Sequence, residues 1–331
     1  MNLLERFERV LQQEKFISYG SKVFIACSGG PDSTALFHLF KSVQKKRRLK
    51  LGVLHFNHGM RGVESNRDER FVKKFAKANR ARFFSGVMEK NEIKKGLSFE
   101  EAAREARYNF FLKMGTKHGI FKIALGHNMD DQAETVLMRI LQGTGLRGLY
   151  GIRPSFRRNR VLFFRPLLRF SRKEILAYLR QNNISFCTDK TNKSPRFLRN
   201  RIRLELIPSL AEKFNPNVVH ALARIPEITS REMGFLDDLE EKIWGKTFLG
   251  KNGSEIRLRR SLFLKWARPL GFRLLDRALK KIDPESGLSF DAWEKIMPHL
   301  SERRFRWSLP RDIDFHLTPS RICVYKKNRA L

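Results

Sequence analysis

Residues 23–33 read Val23-Phe24-Ile25-Ala26-Cys27-Ser28-Gly29-Gly30-Pro31-Asp32-Ser33. Five apolar residues, long enough for a buried strand, run straight into two adjacent glycines, and a helical pattern opens at about Asp32. Adjacent glycines let the backbone turn tightly, so that successive N–H groups can aim at one phosphate. Ser28, Ser33 and the N-terminus of the following helix add hydroxyls and a positive dipole at the same place. An ordinary glycine-rich turn with Asp32 as helix cap would need only the glycines. The whole string Ser28, Gly29, Gly30, Pro31, Asp32, Ser33, set between a strand and a helix, points to a nucleotide. A loop after the first strand of an open α/β sheet lies at the carboxyl edge, where ligands bind. No Gly-x-x-x-x-Gly-Lys-Ser/Thr string is present, which removes a Walker-type NTPase.

Working outward, short apolar runs alternate with helical patterns, as in a parallel sheet covered on both faces. Strands are expected at Leu51–Asn57, Arg82–Met88, Phe121–Leu125 and Val161–Phe164. Helices are expected over Arg67–Asn79, from a Ser98/Glu101 capping box to Met114, over Ala133–Leu141, and from a Ser171/Glu174 capping box to Gln181. Gly143-Thr144-Gly145-Leu146-Arg147-Gly148 fits a dinucleotide fingerprint. It follows a helix instead of a strand, though, and no acid for a ribose lies near Arg165–Phe170, so a helix-ending turn is the better reading. Past Pro208 the alternation gives way to helical patterns broken by prolines 208, 216 and 226. The expectation is a doubly wound α/β domain over 1–210, a linker over 211–230 and a smaller, mainly helical domain over 231–331.

The 331 residues carry 67 Lys plus Arg against 34 Asp plus Glu, a net charge of +33. Such a chain seeks a polyanion, and charge spread along its whole length favours nucleic acid over a membrane surface. No apolar run of membrane-spanning length occurs, and Met1–Phe16 carries charges where a signal peptide is apolar, so a cytoplasmic protein is expected. Cys27, Cys187 and Cys323 are too few and scattered for a disulfide framework or a thiolate zinc site.

The Ser-Gly-Gly-x-Asp-Ser string resembles the pyrophosphate loop of the N-type ATP pyrophosphatases, the PP-loop superfamily. Its members cleave ATP between the α and β phosphates and activate a substrate oxygen as its adenylate. Within it, further motifs are similar to those of the tRNA(Ile)-lysidine synthase family. They are His58-Gly59-Met60-Arg61-Gly62, Glu101-Ala102-Ala103-Arg104-Glu105-Ala106-Arg107-Tyr108, Gly126-His127-Asn128-Met129-Asp130-Asp131-Gln132-Ala133-Glu134-Thr135 and Arg199-Asn200-Arg201-Ile202-Arg203. They run in the family's order across about residues 20 to 210. Longer members of the family carry a further C-terminal domain, which this sequence is expected to lack.

The resemblance implies an adenine nucleotide alpha hydrolase-like fold and a two-step ligation on the wobble cytidine of an isoleucine tRNA with anticodon CAU. ATP adenylates the C2 oxygen and releases pyrophosphate; the ε-amine of free L-lysine then attacks C2 and expels AMP, leaving lysidine. ATP and Mg²⁺ are the implied cofactors, with Asp32 as the nearest metal ligand or simply a helix cap. Lysine must lose a proton from a group with pKa near ~10.4, so a carboxylate must accept it. Asp131 and Glu134, three apart on one helical face, would hold the ammonium, or merely favour the helix N-terminus. Arg107 would bind phosphate or the lysine carboxylate. Arg199, Arg201 and Arg203 alternate, which in an extended segment aligns them for tRNA phosphates or for the nucleotide. His58 and His127 follow strand ends and would contact nucleotide or base, and Arg61 joins His58 as an RNA-binding candidate. No membrane partner is implied, and a homodimer is compatible with the same reading. Two alternatives remain. A tRNA thiolase of the same superfamily would need a sulfur-relaying cysteine or an iron–sulfur cluster, and a non-catalytic RNA-binding protein would not need the loop, the acid pair and Arg107 together.

Overall fold

A computed structural model of the chain describes residues 2–58, 63–88, 99–187 and 197–327. Contacts divide it into two units, Met1–Ser230 and Arg231–Leu331. The first unit opens with helix α1 (Leu3–Gln13), whose Asn2 cap accepts from Glu5 N. Its sheet consists of β1 (Lys22–Ala26), β2 (Lys50–Asn57), β3 (Arg82–Val87), β4 (Lys122–Ala124), β5 (Ser155–Arg158) and β6 (Val161–Phe164), in the order β3-β2-β1-β4-β6-β5. Every pairing is parallel except the edge hairpin of β5 with β6. The chain winds one way from β1 to β2 and β3 and the other way to β4 and β6. The reversal opens a crevice at the carboxyl ends of β1 and β4.

Helices α2 (Pro31–Gln44), α3 (Val63–Ala78), α4 (Phe99–His118), α5 (Met129–Leu141) and α6 (Leu146–Leu149) connect these strands, and α7 (Arg172–Gln181) follows β6. Side chains alternate along β1. Val23 and Ile25 pack with Phe7, Leu36, Phe37, Phe40, Phe164 and Phe170, and Phe24 packs with Leu54, Tyr108, Phe111, Ile123 and Phe163 on the other face. Each buried phenylalanine stabilises the unit by roughly 1.5–3 kcal/mol, which accounts for the phenylalanine-rich composition. Asn159, at φ 53°, turns the β5–β6 hairpin. The expected opening of α4 at Ser98 lies outside the described residues.

The stretch 211–230, read as a linker, is helical: α8 (Leu198–Arg201) continues through a π-helical turn (Ile202–Leu206) into α9 (Ile207–Lys213), and α10 spans Val218–Thr247. Pro208 sits where the π-helical turn passes into α9, and Pro226 lies inside α10.

The second unit carries the expected helices and, beside them, a five-stranded antiparallel sheet that the expectation did not include. The strands are β7 (Phe248–Asn252), β8 (Glu255–Arg259), β9 (Phe305–Leu309), β10 (Ile313–Leu317) and β11 (Arg321–Lys326), in the order β7-β8-β11-β10-β9. Helices α11 (Arg260–Trp266), α12 (Phe272–Ile282) and α13 (Phe290–Ile296) complete it. Its core gathers Ile256, Leu258, Phe263, Leu274, Leu275, Trp293, Phe315 and Val324. The strands are five or six residues long, and β8 buries only Ile256 and Leu258 between charged neighbours, so its apolar signal is brief. The Asn252-Gly253 pair, with Gly253 at φ +55°, is a hairpin signal that marks β7 and β8. Among the described residues no helix is long and apolar enough to cross a membrane.

Candidate active site

β1 ends at Ala26 and α2 begins at Pro31, so the chain must reverse within Cys27–Gly30. Gly29 makes the turn at φ +91°, and a Cβ there would also lie 3.3 Å from Val72 Cγ2 and 3.4 Å from Cys187 Sγ. Ser33 closes the loop: its Oγ accepts from Ser28 N at 3.1 Å and donates to Gly30 O at 3.1 Å. Thr34 Oγ1 donates to Gly29 O at 3.2 Å. Gly30 caps α2 without a side chain, and Pro31 fills the first turn. The mouth of the helix thus keeps its dipole and N–H groups for an anion. From the other side of the crevice Gly126 packs so closely that a Cβ would lie 3.2 Å from Ser33 N.

Asn128 ties the loop to the helix that follows β4. Its Nδ2 donates to Asp32 Oδ1 at 3.0 Å, and its Oδ1 accepts from Asp131 N at 2.9 Å, while Asp131 Oδ2 accepts from Asn128 N at 3.0 Å. One buried asparagine therefore caps α5 and holds the loop carboxylate. Arg172 Nη1 lies 3.5 Å from Asp32 Oδ2, and Arg172 N donates to Asp130 Oδ2 at 2.7 Å. Burial pushes the Asp32 carboxyl above its ordinary value, against the pull of Arg172 and Asn128 towards the charged form.

Asp131 and Glu134 meet Arg199 and Arg203. Arg199 Nε donates to Glu134 Oε2 at 2.9 Å and its Nη2 to Asp131 Oδ1 at 3.0 Å. Arg203 Nε donates to Glu134 Oε1 at 2.5 Å, and its Nη2 to Glu134 Oε2 at 3.0 Å and Asp131 Oδ1 at 3.1 Å. Glu134 is 1% exposed, and the two acids and two half-buried guanidinium groups form a charge-balanced quartet. An extended segment would have aligned Arg199, Arg201 and Arg203. The structure corrects that expectation: α8 and its π-helical turn put Arg199 and Arg203, four apart, on one face and leave Arg201 exposed.

Beside the quartet lies a cationic cluster. Arg165 is 6% exposed; its Nε donates to His127 Nδ1 at 3.2 Å, its Nη1 to Arg153 O at 2.7 Å, and its guanidinium covers the Phe156 ring at 4.8 Å. Burial pushes His127 down to about 3, helped by Arg165, Arg107 and Arg199 and opposed by Asp131. The imidazole is therefore neutral, with its proton on Nε2, because Nδ1 must accept from Arg165. Arg107, on α4, is held below its ordinary pKa by burial and lies 5.6 Å from the Tyr108 ring.

A family profile described as a PP-loop domain matches residues 3–210. The chain belongs to the PP-loop domain family. Among curated relatives it is 34% identical over 274 residues to a tRNA(Ile)-lysidine synthase of Clostridium tetani, covering 82% of this chain and 58% of that one. It is 37% identical over 246 residues to the tRNA(Ile)-lysidine synthase of Clostridium perfringens, covering 74% and 52%. The chain thus spans little more than half the length of these relatives. A solved U34-tRNA thiolase from Methanococcus maripaludis superposes with a TM-score of 0.56 at 19% identity over 67% of this chain and 77% of that one, which is a likeness of fold.

The PP-loop, Asp32, Asp131, Glu134, Arg199 and Arg203 thus gather at one crevice, and Arg107 is near enough for its charge to act on His127. His58 sits one residue past β2 with its ring edge-on to Phe56 at 5.1 Å, and Arg61 lies outside the described residues. Sequence reasoning missed Asn128, Arg165 and Arg172 as members of the site. Arg165 had left a signal, a single charge inside Phe163-Phe164-Arg165-Pro166-Leu167-Leu168, where a charge must be buried and paired. Cys187, isolated in the sequence, lies against the PP-loop and donates its N–H to Gly29 O at 2.8 Å. Burial and Asp68 push its thiol up to about 11, so it is not a thiolate at neutral pH.

Proposed function

We propose that the chain ligates lysine to C2 of the wobble cytidine of the CAU-anticodon isoleucine tRNA through an adenylated intermediate, giving lysidine, AMP and pyrophosphate. The observation that carries this reading is Asn128, which holds the PP-loop carboxylate Asp32 and the acid of α5, Asp131, in one hydrogen-bonded unit. Adenylation and amine transfer need those two groups side by side. The tRNA(Ile)-lysidine synthase relatives support the substrate assignment.

In the first step the PP-loop N–H groups and the α2 N-terminus would stabilise the leaving pyrophosphate, with Arg172 as the adjacent cation. Among the described residues no three His, Cys, Asp or Glu side chains form a metal cluster. A Mg²⁺ ion would therefore take Asp32 as its one protein carboxylate and draw its other ligands from phosphate and water, which suits that ion. When bound it would neutralise phosphate charge. In the second step Asp131 and Glu134 would bind the lysine ammonium, orient it towards C2 and accept its proton. In the structure Arg199 and Arg203 occupy those carboxylates. Lysine must take their place, and the polyphosphate and the RNA backbone are the anions able to draw the guanidinium groups away. His127 adds a neutral donor that does not repel the incoming ammonium.

The test is stable incorporation of radiolabelled lysine, with AMP formation, into unmodified isoleucine tRNA bearing CAU, with the CAU methionine tRNA as control. Label in the first alone is expected. Sulfur incorporation from a labelled donor in place of lysine would install the thiolase reading instead, which the protonated Cys187 thiol disfavours.

A further inference from the structure

The segment that carries Arg199 and Arg203 has a second face. Arg201, two residues on from Arg199, falls about 200° round the helix from it, and Phe197 is the extended residue that precedes α8. There Phe197 is 53% exposed and Arg201 is exposed, with Arg201 N donating to Phe197 O at 3.1 Å. Leu198 and Leu204, 42% and 41% exposed, border them. On a chain of net charge +33 the partner that such an exposed apolar and arginine surface meets is a polyanion. The surface suits an unstacked nucleobase with its phosphate, which needs a π-face and a cation together.

Position singles this aromatic out. The other exposed aromatics described in the first unit are Tyr19, Phe121 and Phe214. Tyr19 and Phe121 precede β1 and β4, at the sheet edge opposite the PP-loop. Phe214 lies one residue past α9, on the order of 16 Å from Arg203 at 1.5 Å per helical residue. Phe197 is two residues from a side chain that touches both acids.

Resting on the lysidine-synthase reading of the same crevice, we propose that Phe197 and Arg201 form a clamp for the anticodon loop. Phe197 stacks on an unstacked base neighbouring the wobble cytidine, and Arg201 holds a phosphate beside it. The inner face of the segment thus serves the acid pair while its outer face grips the single-stranded loop.

The test is binding of a CAU anticodon stem-loop RNA to the full chain across a salt series. Phe197→Ala should weaken binding about tenfold without changing the slope of log affinity against log salt. Phe197→Tyr should stay within about twofold of wild type, and Phe197→Leu should be as weak as Phe197→Ala, since a leucine has no π-face. Arg201→Ala should lower the slope by about 0.7, one single-strand phosphate contact. Phe121→Ala, at the far edge of the sheet, is the control. An effect of Phe197→Ala below twofold, rescue by leucine equal to rescue by tyrosine, an unchanged slope for Arg201→Ala, or no binding of the stem-loop by wild type would each overturn the clamp. Binding with these signatures but no lysine incorporation would instead overturn the lysidine-synthase reading and leave the clamp standing.

Discussion

Glu134→Gln removes one charge from the quartet and changes almost nothing in shape. In wild type, Glu134 accepts from Arg199 Nε and from Arg203 Nε and Nη2, and Asp131 accepts from both arginines as well. The variant leaves two guanidinium groups facing one carboxylate, and the amide turns an N–H₂ towards one of them. Breaking a fully buried pair costs ~3–5 kcal/mol. The Arg199 and Arg203 side chains are 41% and 27% exposed, so water screens part of that loss and ~2–3 kcal/mol is the working figure. For a unit of this size that is a fall in Tm of roughly 4–12 °C by calorimetry of the full chain. Adding Arg203→Gln should restore part of the loss by removing the uncompensated charge, whereas Arg201→Ala should cost under ~0.5 kcal/mol. A Glu134→Gln melting temperature within 1 °C of wild type, at most about a quarter of the expected fall, would show that the quartet is not a paired network.

His127 is neutral in the folded chain down to about pH 3 but titrates near its ordinary value when unfolded. The unfolded state thus binds the extra proton below about pH 6.5, and wild type loses stability as pH falls through that window. By pH 5 His127→Gln should gain about 2 kcal/mol on wild type relative to pH 7, measured by urea unfolding; parallel pH dependences would contradict the burial of His127. Gly29→Ala forces a side chain into a left-handed backbone against Val72 and Cys187, and should raise the KM for ATP at least about tenfold; an effect below twofold would remove the loop turn from nucleotide binding. Labelled lysine should bind the free chain weakly and bind tighter once ATP and the CAU tRNA are present, because Arg199 and Arg203 hold the acids in the free chain. Equal affinity in equilibrium dialysis under both conditions would count against the exchange.

Much of the first unit was legible because its strands are short apolar runs whose flanking turns carry Gly, Pro or capping residues. Val23–Cys27 and the glycines after it announce both a strand and a phosphate loop. The arginine triplet was misread for a physical reason. A spacing of two fits a strand face, and the choice between strand and helix there depends on Glu134 and Asp131, 65 to 72 residues away in the chain. Arg172 was hidden likewise, since it follows an ordinary capping serine and meets Asp32 only after the sheet brings β1 and α7 together. The antiparallel sheet of the second unit was underread because β8 has just two buried positions, and its Asn252-Gly253 turn was the clue to use. Asn128 lay inside a motif already noted, yet its double role as cap and as tether of Asp32 is a property of the crevice.

The most direct test of the site separates the two half-reactions in Asp131→Asn. With ATP, Mg²⁺ and the CAU isoleucine tRNA, rapid-quench analysis should show wild type releasing pyrophosphate and then transferring lysine. The account predicts that Asp131→Asn still releases pyrophosphate, about one per active site, with tRNA affinity within a few fold of wild type, while lysine transfer falls by at least about a hundredfold, the scale on which a lost proton acceptor is felt. Lysine transfer at the wild-type rate, or loss of the pyrophosphate burst with transfer intact once adenylated tRNA is supplied, would contradict the assignment of the acid pair to the amine.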